Sequence, residues 1–237
     1  MFAGKLHTFI ELVSELRILI LVWLYKIYTM KKIITAILLL PLLLLLNGCL
    51  NTLHPIFTAQ DLVADGRLIG NWKNTKDGSV TTYRKALREE LTAFSEVLQQ
   101  QADKIYIVHV KPGNDDPASI YYAFLVKLGN YYYLDYYPAV NREREAIDEF
   151  FKAHFIPMHG IYRIDFHPKN SFELKQLDGA YLEKLIKNKQ IRLEHAEMDD
   201  GGYFITAPTE QLQQYLIKYS EVPEAYDNNT SSYTKIN

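Results

Sequence analysis

Two hydrophobic textures divide the chain. Residues 33–46 read Ile-Ile-Thr-Ala-Ile-Leu-Leu-Leu-Pro-Leu-Leu-Leu-Leu-Leu, an uncharged run shorter than the roughly 20 residues that cross a bilayer as a helix. Beyond it the apolar residues alternate with polar ones or recur at helical spacing, the two patterns of a folded domain.

Alternation and turn signals predict the strands. Gly70 to Lys73 and Val80 to Tyr83 flank Asp77-Gly78 as a first hairpin. Ile105 to Val110 forms a β-rich run, and Ile120 to Leu128 and Tyr131 to Tyr137 are joined by the tight-turn pair Gly129-Asn130. His154 to Phe166, Ser171 to Gln176, Ile191 to Met198 and Tyr203 to Thr206 follow, the last two around Asp199-Asp200-Gly201-Gly202. Helical spacing predicts Ala86 to Ala102 through Leu87, Leu91, Phe94, Val97 and Leu98, and Arg142 to Lys152 through Ile147, Phe150 and Phe151. Asp178 caps a helix from Gly179 to Lys187, and Pro208 with Glu210 opens a last one running to Tyr219. Thr58 to Asp65 reads as two helical turns with Thr58 and Asp61 as an approximate capping box. The sum is an α+β domain: a mainly antiparallel sheet of about eight strands with three or four packed helices. Its bounds are residues 58–226, after a tether at 49–57 that ends around Pro55 and before a polar, disordered tail at 227–237.

Charge removes one class of partner. Of the chain's 26 basic and 28 acidic residues, five and two fall before position 49, leaving 21 and 26 for the remainder, a net of −5. A mildly acidic domain lacks the clustered Lys and Arg that displace counterions from phosphates, so nucleic acid is set aside. Cys49 is the only cysteine in 237 residues, which excludes an intrachain disulfide and thiolate clusters.

Met30-Lys31-Lys32 stands before the apolar run as a positive n-region, and small or polar residues follow the run, the three parts of a secretory leader in order. Leu46-Asn47-Gly48-Cys49 resembles the lipobox of bacterial lipoproteins. The resemblance covers residues 30–49 and implies acylation of the Cys49 thiol and cleavage between Gly48 and Cys49 by signal peptidase II. Two or more acyl chains hold a protein stably, at about 0.8 kcal/mol per buried methylene. By the same resemblance Leu50, in the place where an Asp would retain the protein at the inner membrane, points to the outer membrane. Residues 1–29 add a second apolar run from Ile18 to Tyr25. Either translation starts at Met30 or this run is an added hydrophobic segment.

Gly70-Asn71-Trp72 resembles the Gly-x-Trp near the N-terminus of lipocalins, and the resemblance implies a barrel-like sheet closed at one end by Trp72. From Leu53-His54-Pro55 to Thr206-Ala207-Pro208-Thr209 the domain also resembles uncharacterised lipoproteins of Bacteroidota-like bacteria, a resemblance that carries no activity with it.

Candidate chemistry is sparse. His154, His159 and His167 lie close in sequence, but 154 and 159 fall on opposite faces of a strand, and zinc needs three or four converging ligands. The acids at Asp115-Asp116, Glu143 to Glu149 and Asp199-Asp200 lack the spacing of a calcium loop. No Gly-x-Ser-x-Gly elbow or phosphate loop occurs, so neither a nucleophile nor a cofactor is expected. The unusual feature is tyrosine, 18 in all, crowded into Tyr121-Tyr122, Tyr131-Tyr132-Tyr133 and Tyr136-Tyr137. Alternation turns half of them to each face, where they pair across strands or line a ligand surface. Trp72, Tyr121, Tyr131 and Tyr133 are the candidate ligand or interface aromatics.

The pattern supports a lipid-anchored envelope protein whose partners are the membrane, the lipoprotein-processing enzymes, and a small ligand or an envelope protein. Three functions stay open: a non-enzymatic binding module, a cell-envelope enzyme acting on glycan through a carboxylate pair, and a structural partner in an envelope assembly.

Overall fold

A computed structural model describes residues 50–113, 117–139, 156–198 and 202–236, with Tyr25, Lys26 and Tyr28. The chain divides into two compact units, residues 1–47 and 48–237, and the second holds the strands and helices of the domain. Gly48 and Cys49, the helix expected at Arg142 to Lys152, His154 and the three acidic clusters lie outside the described residues.

Eight strands close into an antiparallel barrel: β2 (Gly70–Asn74), β3 (Val80–Lys85), β4 (Ile105–Lys111), β5 (Ser119–Leu128), β6 (Tyr131–Pro138), β7 (His159–His167), β8 (Ser171–Gln176) and β11 (Ser231–Ile236). Each pairs with the next in this order, and β11 returns to β2, so the barrel has no free edge. Three short strands, β1 (Asn51–Thr52), β9 (His195–Glu197) and β10 (Tyr203–Ile205), extend from the β7 side. The described helices are α1 (Glu96–Gln99), α2 (Gly179–Lys187) and α3 (Thr209–Lys218). The antiparallel sheet is therefore as expected, with the balance shifted from α+β toward β.

Turn chemistry sets the hairpins. The Asp77 carboxylate accepts from the Ser79 amide at 2.9 Å, and Gly78 takes the positive φ of 74° that a side chain would strain. Gly129, at φ 59°, does the same between β5 and β6.

Strand alternation produces two cores. Inward positions bury Trp72, Tyr83, Tyr106, Val108, Ala123, Leu125, Leu134, Ile164 and Phe172, with Leu68 beneath them. Outward positions Ile105, Ile107, Phe124, Val126, Tyr133 and Ile161 pack under α2, α3 and the segment from Leu50 to Leu62. Both helices turn one apolar stripe to this wall: Leu182 and Leu185 from α2, and Leu212, Tyr215 and Leu216 from α3. Asp178 caps α2 through the Tyr181 amide at 2.8 Å, as its position predicts.

Four expectations are corrected. The tail is not a disordered appendage, because residues 231–236 are the strand that closes the barrel between β2 and β8. Its polar look reflects alternation, with Tyr233 turned inward and its neighbours outward. Ala86 to Ala102 is not one helix. It breaks into a 3-10 turn at Arg88–Leu91, the four-residue α1, and a second 3-10 turn at Ala102–Lys104. Leu87 and Val97 are exposed, while the Phe94 ring meets Tyr122 at 4.9 Å and Phe124 at 5.6 Å, so the segment follows the curved wall instead of presenting one face. Thr58 to Asp65 makes a single turn. The Asp61 carboxylate accepts from the Thr58 amide at 2.7 Å, after which Leu62 bridges Val126 and the Val63 amide donates to the Leu125 carbonyl. The strands expected over Ile191 to Met198 and Tyr203 to Thr206 shrink to β9 and β10.

Candidate functional site

One end of the barrel is sealed. The 3-10 turn Gly66–Leu68 lies across it, and the Trp72 indole N–H donates to the Leu68 carbonyl at 2.7 Å. Arg67 lies over the Phe166 ring at 4.0 Å and donates to both oxygens of Asp65. The Tyr106 hydroxyl accepts from the Asp65 amide at 2.7 Å, pinning the same turn to the foot of β4.

At the other end a cavity of about 520 Å³ lies within the barrel, its described lining drawn from seven of the eight strands. Tyr83, Tyr121, Tyr136, Tyr162 and Tyr233 form its wall. Below them, Phe172 stacks on Tyr233 at 4.8 Å and meets the edge of Trp72 at 4.6 Å. The rings are braced against one another, with Tyr136 in edge contact with Tyr121 at 6.2 Å and with Tyr162 at 5.5 Å. Space exists because small residues face inward near the mouth: Thr81, Ser119, Ser231 and Gly160. A Cβ on Gly160 would lie 3.5 Å from the Tyr162 ring and 3.8 Å from the Asn51 side chain, ordinary contact distances.

The described lining of this cup is neutral. No Asp, Glu, Lys, Arg or His stands among the described residues that line it. The hydroxyls of Tyr83 and Tyr136 hydrogen-bond to each other. Burial pushes both phenols well above their usual range, and that of Tyr233 upward as well. All three stay protonated at neutral pH. The cup therefore offers aromatic faces, phenol hydroxyls and, at the rim, the amides of Asn51, Gln176 and Asn229.

Of the four aromatics expected at a site, Tyr121 lines the cup and Trp72 lies beneath it, 2% exposed. The other two are on the far side of the wall. Tyr133 is buried under α3 with its hydroxyl donating to the Leu216 carbonyl at 3.2 Å, and Tyr131 lies against the Arg163 guanidinium at 4.1 Å. Odd positions on β6 face outward, so Tyr136 is the cup tyrosine of that strand. Tyr83, Tyr162 and Tyr233 sit singly in their strands, outside the tyrosine clusters of β5 and β6.

His159 and His167 do not converge. His159 is buried, its Nδ1 2.6 Å from Asp135, while His167 is exposed 3.5 Å from Glu173. No group of three potential metal ligands occurs among the described residues. Asp135 is wholly buried and also accepts from the Ile56 amide at 2.9 Å, so it ties the N-terminal segment to β6 and β7.

Compared with protein-family models, curated proteins and solved structures, the chain matches none.

Proposed function

We propose that this chain is a lipid-anchored protein of the bacterial cell envelope, at the outer membrane, whose barrel binds a small uncharged ligand in the tyrosine-lined cup. The observation that carries the binding reading is the cup itself, about 520 Å³ of neutral, aromatic space within the roughly 300–1,000 Å³ typical of ligand sites. An anionic or cationic ligand would be desolvated there without a counter-charge, which costs far more than burying a neutral one. The up-and-down strand order and the Trp72 seal support a lipocalin-like reading of the domain. The anchor rests on the lipobox resemblance at Cys49. A glycan-cleaving enzyme would need a pair of carboxylates, and the described residues of the lining supply aromatic rings, hydroxyls and amides instead.

Two measurements test the reading. The domain from Cys49 onward is titrated with the uncharged dye N-phenylnaphthylamine and with its anionic analogue anilinonaphthalene sulfonate. The neutral dye should brighten and the anion should not. Gly160→Trp, which fills the mouth, and Ser119→Phe, which crowds the rim, should abolish the brightening while the far-ultraviolet circular dichroism is kept. Equal response to both dyes, or an unaffected Gly160→Trp, would refute a neutral cup. For the anchor, radiolabelled palmitate should enter the wild type and not Cys49→Ala, with loss of membrane fractionation in the variant.

A further inference from the structure

The chain emerges at the mouth of the cup. Asn51 lines the rim and pairs in register with Gly160 of β7, and Thr52 pairs with His159. From there the segment descends the outside of the barrel. Ile56 is held by Asp135, Phe57 stacks on Phe124 at 4.1 Å, Leu62 bridges Val126, and Asp65 reaches the sealed base. Asn51 thus stands at the rim, the whole length of the barrel from the base, and Cys49 precedes it by two residues in the sequence. Two residues span at most about 7 Å of extended chain. The headgroup layer on one side of a bilayer is about 5–8 Å thick. A diacylated Cys49 therefore leaves the rim no room to stand clear of the lipid surface.

A second observation lies on the same rim. Ile156 is 63% exposed, and Met158, two residues on, lines the cup. An isoleucine left in water beside the mouth gains by entering the interface, at roughly 25 cal/mol per Å² of apolar surface covered.

We propose that the cup opens onto the membrane and takes its ligand, an uncharged amphiphile, from the bilayer. This rests on the lipid-anchor reading. It adds an orientation and a source that an anchor alone does not imply, since a longer tether would let the barrel face any direction.

Cys49 is the only thiol in the chain, so the domain from Cys49 onward can be coupled directly to maleimide-bearing vesicles, whatever the cell does to that residue. Single tryptophans are then added to the background of buried Trp72: Ile156→Trp on the near rim, Lys76→Trp in the β2–β3 turn across the mouth, and Asn130→Trp in the β5–β6 turn at the base. Lys76 belongs to the mouth because its ammonium meets Asn229, a rim residue. With spin labels placed shallowly on the lipids, the added emission of both rim tryptophans should be lost and that of Asn130→Trp retained. Quenching at Ile156 and Asn130 but not at Lys76 would mean the barrel lies on its side and overturns the proposal. Quenching at none would mean the mouth stands clear and overturns it equally.

The source of the ligand is read with N-phenylnaphthylamine dissolved in the vesicles. Trp72 emission in the coupled domain should pass to the dye at a rate independent of vesicle dilution. A rate that falls with dilution, as for uncoupled domain, would assign the ligand to the aqueous phase. The anchor reading fails separately, if the N-terminal peptide of the cellular protein carries no acyl mass on Cys49.

Discussion

Ending the chain at Thr230 removes residues that composition marks as dispensable and the fold uses to close the barrel. The deletion takes away four register pairs with β2 and four with β8. At roughly one ladder bond per pair and about 1 kcal/mol net per bond, the backbone loss is about 8 kcal/mol. Loss of the Tyr233 ring from Phe172 adds about 2 kcal/mol. The sum is comparable to the whole stability of a domain, about 5–15 kcal/mol, and the deletion also exposes two strand edges. The shortened domain should show no cooperative urea transition by Trp72 fluorescence and reduced β signal in the far ultraviolet, against a single transition for the full length. Tyr233→Ala, which keeps the ladder, should fold with a midpoint lowered by the side-chain contribution alone. Equal urea midpoints and slopes for the shortened and full-length domains would refute the closing role of this strand and restore the tail suggested by composition.

Two further perturbations probe the outer wall. Asp135→Asn replaces the carboxyl that accepts from the Ile56 amide and meets His159 in a fully buried position, and should lower stability by on the order of 3 kcal/mol; an unchanged urea midpoint would show that the contact carries nothing. Glu90 is held at a pKa of about 2, below its ordinary 4.5, chiefly by the Arg84 guanidinium, and it also accepts from the Leu87 amide. A depressed carboxylate stabilises the fold above pH 4.5, and that contribution fades as the pH falls toward about 2. Because both partners are partly exposed, the effect should be small and weaken with salt. Midpoints of Glu90→Gln should meet those of the wild type at the acid end and separate above it; a constant offset at every pH would exclude the carboxylate charge as the cause.

Most strands and both long helices were legible in the sequence, because local chemistry specifies them. Asp77-Gly78 and Gly129-Asn130 can only turn, Asp178 can only cap, and the alternation through β4, β5 and β6 needs no partner to be visible. The single helix expected at Ala86 to Ala102 failed for a reason no local pattern contains. Its Phe94 ring packs against Tyr122 and Phe124, a contact that exists only once β5 is in place on the barrel wall.

The sequence by itself determined the strand-rich domain, its turns, its neutral to acidic charge, and the presence of more tyrosine than packing ordinarily calls for. Which tyrosines share a space was decided only when the sheet closed. Closure sets Tyr83, Tyr136, Tyr162 and Tyr233 around one cavity and sends Tyr131 and Tyr133 to the opposite side of the wall. The physical reason is that a strand fixes two faces without saying which is inside. That choice is made by register with neighbours as distant as β11, more than a hundred residues along the chain from β3.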